Sequence, residues 1–185
     1  MTNRTYETFA ALLRYPETGY HAAIRDCLSC VPLAGEEAIS GFAAWALTMT
    51  LEQAQENFTA ALDLNPKCAL ELGWHLFGEK YERGLLLVRM RHELRRHGIP
   101  ESKELPDHLA LALLLLSRME RGQAEAFAAA IVFPALEKLL AAMQESANPY
   151  EPLIRAINTS LRSEFPQCMA APPAPSLVVL HEGAQ

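Results

Sequence analysis

The most constraining feature of the sequence is an uninterrupted apolar run from Leu109 to Leu116 that contains only leucine and alanine. A helix formed by this run has no polar face, and a helix that is apolar on every side is buried at the centre of a fold. The run is far shorter than the ~20 residues that a membrane-spanning helix needs. The sequence therefore predicts a central core helix and no insertion into a membrane.

Helical periodicity runs through most of the remaining chain, because apolar residues recur every three or four positions. A chain of 185 residues that is 50% hydrophobic suits one domain with one sizeable core. A strand-like pattern is confined to residues 176–180. Pro134 is expected to break or kink one of the helices. We therefore expect an all-α, single-domain bundle of about eight or nine helices over residues 1–165. Residues 166–185 are expected to form a Pro-rich C-terminal tail.

A long helix is predicted over residues 79–97. Tyr81, Leu85 and Val88, extended by Leu94, form an apolar stripe on it, which we expect to be the buried face. Gly84 lies inside the same helix and costs about 1 kcal/mol relative to alanine there. A close approach by a second helix at Gly84 would explain the glycine.

The charge and the cysteines of the chain exclude several classes of protein. A formal net charge of −6 argues against binding to nucleic acid, which requires a basic surface. The polar N-terminus lacks the apolar segment of a secretory signal, so we expect a cytoplasmic protein with reduced cysteines. Cys27 and Cys30 have CxxC spacing, but no second ligand pair lies nearby. We expect them to pack as small hydrophobic residues and to bind no metal.

The segment that precedes the apolar run, Glu104 to Leu109, has the composition of a helix start. Pro106 suits the first helical position, and Asp107 is favoured in the first turn by the helix dipole. His108, near the positive end of the helix, is expected to be neutral. We expect Glu104, Asp107 and His108 to lie together at a solvent-accessible helix mouth, although the same residues could be a good helix start and nothing more.

Sequence signals for catalysis are absent from the chain. It contains no GxxxxGK, HExxH, GxSxG or GxGxxG motif, and its six histidines have no ligand spacing. Glu104 and Asp107 could serve as an acid–base pair, but nothing places a nucleophile, a metal or an oxyanion donor beside them. The sequence therefore predicts no catalytic residue, no metal site and no bound cofactor, and an enzyme is disfavoured.

Two stretches of sequence together resemble a known family. The first stretch is His75 to Gly84. The second is Glu-Leu-Pro-Asp-His-Leu at residues 104–109, and it begins twenty residues after the end of the first. The pair resembles the nitrate reductase assembly chaperones of the NarJ type, within the TorD/DmsD superfamily of redox enzyme maturation proteins. The resemblance extends roughly over residues 6–161 and implies a TorD-like helical fold. It rests on His75, Gly78, Glu79, Arg83 and Gly84 in the first stretch, and further on Tyr15-Pro16, Phe58 and Leu62-Asp63.

The resemblance implies a system-specific chaperone. Such a protein binds the N-terminal segment of the apo catalytic subunit of a molybdoenzyme of the dimethyl sulfoxide reductase family. It assists insertion of the molybdenum cofactor and assembly before membrane docking or export. Asp107 and Glu104 would pair with client arginines, and His108, titrating near neutrality, would make release pH-sensitive. The client-binding residues implied are Glu104, Pro106, Asp107, His108, His75, Glu79 and Arg83.

Two other functions remain open at this point. One is a general helical adaptor or regulator that binds an unrelated protein helix in a groove. The other is a helical domain that binds a small molecule or a nucleotide. The sequence also leaves open whether the protein is a monomer or a dimer, and which molybdoenzyme would be the client.

Overall fold

The computed structural model describes residues 1–169, and helices form nearly all of the regular structure in this range. The described residues form ten α-helical segments, and two of them, α8 and α9, are joined by a π turn into one continuous helix. This gives nine helices in the described residues, so the predicted all-α bundle is confirmed. The helices are α1 (Asn3–Leu12), α2 (Tyr20–Cys30), α3 (Leu33–Ala46), α4 (Leu51–Phe58), α5 (Leu72–Phe77), α6 (Tyr81–Arg96), α7 (Leu109–Leu116), α8 (Arg121–Phe127), α9 (Phe133–Glu145) and α10 (Glu151–Glu164).

Helix α7 lies in the middle of the bundle, as its composition predicts. Every residue of α7 except Leu114 is buried. It packs against α1, against α6 and against the π turn that joins α8 to α9. Around it, α10 packs along α3, α1 along α2, and α5 against both α6 and α9. The apolar run therefore organises the core, and the segment that enters α7 is held at the centre of the molecule.

The chain remains helical through Pro134, so the predicted break is wrong. A π-helical turn, Ala128–Val132, joins α8 to α9, and Pro134 follows directly in the first turn of α9. A π turn shifts the hydrogen-bond pattern by one residue. The shift accommodates the missing N–H and the ring of proline, which would disrupt a regular α-helix at this point.

The helix Arg121–Glu145 is the one stretch within residues 1–169 that is long and apolar enough to cross a membrane by length and composition alone. Of its most apolar window, 56% is buried against the other helices. This burial is that of a core helix within a folded bundle.

The buried face of α6 differs from the predicted stripe. Of the predicted stripe, Leu94 is buried, whereas Tyr81 is 78% exposed and Val88 is 65% exposed. The fully buried residues of α6 are Leu86 and Met90. Gly84 has no atom within 4 Å of the position that a Cβ would take, so no helix approaches it closely in the described part of the chain. Two apolar stripes with helical spacing run along α6. Packing against α5 and α7 buries the stripe that contains Leu86 and Met90.

The cysteines pack as small side chains in the described part of the chain, which ends in a short helix. All four cysteines are free and at least partly buried, and burial raises the pKa of Cys27 to about 12. Phe165 is buried, and a short 3-10 helix, Pro166–Met169, follows it. The remainder of the predicted tail, residues 170–185, lies outside the described residues.

Candidate functional site

The segment just before the first motif stretch is joined to the second stretch by an antiparallel bridge between Glu71 and His108. The N–H of Leu72 donates to the carbonyl of Asp107 at 2.9 Å, and the N–H of Leu109 donates to the carbonyl of Leu70 at 2.8 Å. Side chains that oppose each other in such a pair point to the same face, with Cβ atoms ~4.5–5.5 Å apart. Glu71 and His108 are therefore neighbours on one surface of the bundle.

The bridge changes how α7 begins. Pro106 is buried in a turn closed by the hydrogen bond from the His108 N–H to the Leu105 carbonyl, and the helix starts only at Leu109. His108 is the N-cap residue, and its Nδ1 accepts from the N–H of Ala110 at 3.2 Å. The predicted positions of Pro106 and Asp107 inside the helix are therefore wrong. The extended backbone at His108, required by the bridge, excludes an earlier start.

Asp107 is fully buried, and its carboxylate stabilises the start of α5. Its Oδ2 accepts from the N–H of Gly73 at 3.1 Å and lies 3.6 Å from Nε of Arg83. A Cβ on Gly73 would lie 2.6 Å from the same oxygen, so only glycine permits this approach. Burial raises the pKa of Asp107, and Arg83 partly offsets the effect. The expected solvent-accessible carboxylate is therefore wrong, and in this conformation Asp107 faces Arg83 instead of a client.

His108 is also buried, with 4% of its surface exposed. Because Nδ1 accepts a hydrogen bond, Nε2 carries the proton, and the closest acceptor to it is Oε2 of Glu104 at 4.0 Å. Burial, together with Arg14, lowers the pKa of His108 to about 4. The imidazole is neutral at physiological pH, as predicted, but the expected titration near neutrality is wrong.

A cavity of about 310 Å³ opens beside His108 and Glu104. Its wall is built from four separate parts of the chain: the turn after α1, the end of α4, the segment before α5 and the entry to α7. The side chains that give the cavity its chemical character are Tyr15, Phe58, Asp63, Glu71, Glu104 and His108.

The cavity is acidic and has aromatic walls. Burial raises the pKa of Glu71, and the neighbouring carboxylates of Asp107 and Glu104 raise it further. Burial also raises the pKa of Asp63. No lysine or arginine lines the cavity, and Arg83 acts on Glu71 only from outside it. Within residues 1–169 no cluster of three or more histidine, cysteine or acidic residues has the geometry of a metal site.

A π-helical turn places Leu62 and Asp63 on the cavity wall. The turn extends α4 over Thr59–Asp63, and a buried asparagine, Asn148, donates from Nδ2 to the carbonyl of Ala61 inside it at 2.7 Å. Single π turns recur at functional sites because they re-aim side chains along a helix. Tyr15, Phe58 and Asp63 entered the sequence prediction only as part of the family resemblance and not as residues of one site. No sequence pattern pointed to Glu71.

The other predicted site residues divide into two groups. His75 and Arg83 brace the bridge: Nε2 of His75 lies 2.7 Å from the carbonyl of Ala69, and the Arg83 guanidinium lies 5.5 Å from the centre of the Trp74 ring. Burial lowers the pKa of His75, so its neutral ring donates to that carbonyl. Glu79 is exposed before α6 and forms no hydrogen bond or ion pair with the part of the chain that the structure describes.

Comparison with known proteins places both motif stretches inside the region that a family model matches. The family described as nitrate reductase delta subunit matches residues 30–155. The chain is 27% identical over 164 residues to the nitrate reductase molybdenum cofactor assembly chaperone NarJ of Escherichia coli (strain K12), which covers 83% of this chain and 69% of that protein. It is 28% identical over 152 residues to the probable nitrate reductase molybdenum cofactor assembly chaperone NarJ of Bacillus subtilis (strain 168), with 80% and 78% covered. These relatives are named as chaperones and not as enzymes, in agreement with the predicted lack of catalysis.

Proposed function

Because the chain belongs to the nitrate reductase delta subunit family, we propose that it is an assembly chaperone for the catalytic subunit of a nitrate reductase. In this role it binds the apo catalytic subunit in the cytoplasm and assists insertion of the molybdenum cofactor before membrane docking or export. The observation that carries the proposal is the family match over residues 30–155, which contains the bridge and most of the cavity wall. The names of the relatives from two bacteria support the same client.

The finer part of the proposal is that the N-terminal segment of the client binds at the acidic cavity. Exposed apolar side chains lie in or directly after the segments that line this cavity. Tyr15, which lines it, is 45% exposed, Leu64 after Asp63 is 75% exposed, and Leu105 after Glu104 is 43% exposed. A short amphipathic segment covers such a surface by placing apolar side chains on the rim and polar ones over the cavity. The charge also argues against a nucleotide, because carboxylates repel phosphate groups.

Affinity purification tests the proposal. The tagged protein is isolated from its host while the host produces nitrate reductase without molybdenum cofactor, and the bound proteins are identified by mass spectrometry. We expect the apo catalytic subunit to co-purify and to be released when the cofactor is supplied. Failure to recover this subunit from cells shown to contain it would overturn the chaperone role and favour a general adaptor.

A peptide assay tests the finer part. A synthetic peptide with the N-terminal sequence of the same catalytic subunit is titrated into the full-length protein by calorimetry, with a scrambled peptide as the control. Saturable binding of the native sequence alone is expected. Co-purification without any peptide binding would retain the chaperone role and place the contact elsewhere on the client.

A further inference from the structure

The acidic cavity contains a polar group that the fold leaves without a partner. His108 is 4% exposed and lines the cavity, and its protonated Nε2 has no acceptor within hydrogen-bond distance, since Oε2 of Glu104 lies 4.0 Å away. Its Nδ1 is occupied by the N–H of Ala110, which fixes the ring and the proton position. This N–H is not one of the buried atoms without a partner, and the fixed ring leaves it available to an oxygen of a ligand in the cavity.

The carboxylates of the cavity lack a cation. Asp63, Glu71 and Glu104 line it together, and no basic side chain lies among them. Arg83, the guanidinium that acts on Glu71 from outside, lies between Asp107 and the Trp74 ring. Partly desolvated carboxylates gain most from a cation that hydrogen-bonds to them directly.

The aromatic walls match a flat cation. Tyr15 and Phe58 pack edge to face with ring centres 5.9 Å apart, and Phe58 in turn packs against the buried Tyr150 at 5.7 Å. The wall is therefore continuous with the core and stays in place without a ligand. A guanidinium stacks on aromatic faces and presents several donors in one plane, whereas the ammonium of lysine acts as a point charge. A volume of about 310 Å³ is near the lower limit for small-molecule sites, which suits one or two side chains.

We propose that this cavity receives the guanidinium group of an arginine in the bound client segment, while His108 donates from Nε2 to a carbonyl oxygen of the same segment. Glu71 and Asp63 accept from the guanidinium, and Tyr15 covers it. The inference rests on the proposed function, because it takes the segment to be that of the nitrate reductase catalytic subunit. The resemblance implied that Asp107 and Glu104 pair with client arginines. Asp107 does not line the cavity, so Glu71 and Asp63 take its place beside Glu104.

The test combines changes on both sides of the contact. The double variant Asp63→Asn with Glu71→Gln removes two charges from the cavity and leaves the backbone bridge intact. The matched control, Glu82→Gln with Glu145→Gln, removes two exposed charges that do not line the cavity. On the peptide, each arginine is replaced in turn by citrulline, which keeps the shape and removes the charge.

The cavity variant is expected to bind the native N-terminal peptide at least about tenfold more weakly, and the control variant to bind it as the unchanged protein does. Citrulline at one position of the peptide should cause a similar loss. The same substitution should have little further effect in the cavity variant, because interacting partners are non-additive. His108→Asn keeps an N-cap side chain but removes the Nε2 donor, so it should weaken binding with an unchanged circular dichroism spectrum.

Equal affinity of the cavity and control variants for the native peptide would overturn the inference. So would a peptide whose affinity is unchanged by citrulline at every position. In both cases, continued co-purification of the catalytic subunit with the unchanged protein would leave the chaperone role standing. If the unchanged protein recovers no catalytic subunit and binds no peptide, the proposed function and the inference fall together.

Discussion

Replacement of Asp107 separates its structural role from its charge. Asp107→Ala removes the acceptor of the buried Gly73 N–H and the carboxylate beside Arg83. A buried donor left unpaired costs roughly 1–3 kcal/mol, and loss of a charged partner adds to this cost. We therefore expect the free energy of unfolding to fall by about 3 kcal/mol. Asp107→Asn keeps an oxygen that accepts from Gly73, and its loss should be about 1 kcal/mol or less.

The two variants also differ in their pH dependence. Because burial raises the pKa of Asp107 above its usual value of 3.8, the native protein binds this proton more tightly than the unfolded chain does. The stability that comes from this group is fully present below the pKa of the unfolded chain and is lost as the pH rises through the higher pKa of the native protein. The asparagine variant lacks this loss, so its stability relative to the unchanged protein should improve as the pH rises.

Urea unfolding followed by circular dichroism measures both effects, and the fluorescence of Trp74 reports locally, since Arg83 lies over its ring. The analysis is repeated from pH 4 to pH 7.5 for the unchanged protein and both variants. An alanine variant as stable as the asparagine variant would refute the capping role of Asp107. Because Asp107 stabilises the start of α5, the structure predicts that a loss of stability accompanies any loss of client binding in the alanine variant.

Three further predictions concern the supports of the site. Gly73→Ala places a methyl group 2.6 Å from the Asp107 carboxylate and should cost about 1–3 kcal/mol in thermal unfolding, whereas Gly84→Ala, with open space around it, should be neutral or stabilising. Because the pKa of His108 is lowered to about 4, stability should decrease by roughly 3 kcal/mol as the pH falls from 6.5 towards that value, and this loss should be absent from His108→Asn in urea titrations. Asn148→Ala removes the hydrogen bonds that its side chain makes to the Ala61 carbonyl and the Tyr150 N–H, and should cost about 2 kcal/mol by urea unfolding; an unchanged midpoint would show that the π turn needs no such support.

Features set by local composition were predictable from the sequence. The run Leu109–Leu116 could only be a core helix, and it is one. The capping box at Thr50 is a local feature of the same kind, because both of its hydrogen bonds lie within one turn. The neutral state of His108 was predicted from its position at a helix start, but the structure gives a different cause, because burial together with Arg14 lowers its pKa.

Features set by tertiary contacts were not predictable in the same way. Pro106 satisfies every local rule for a helix start, yet the bridge to Glu71 holds the backbone extended until Leu109. On α6 the periodicity fits two faces, and only the packing partners distinguish them. The cavity is the extreme case, because Asp63 and Glu71 acquire a common role only when separate segments come together.

The bridge between Glu71 and His108 has a consequence for synthesis on the ribosome. The N-terminal part of the chain emerges first, and contacts between distant positions form late because they close long loops. The wall that begins with Tyr15 stays incomplete until residues 104–109 have left the exit tunnel and α7 has been buried. A nascent chain that has not yet released residues 104–109 therefore lacks a complete cavity and, under the proposed function, would not yet bind a client.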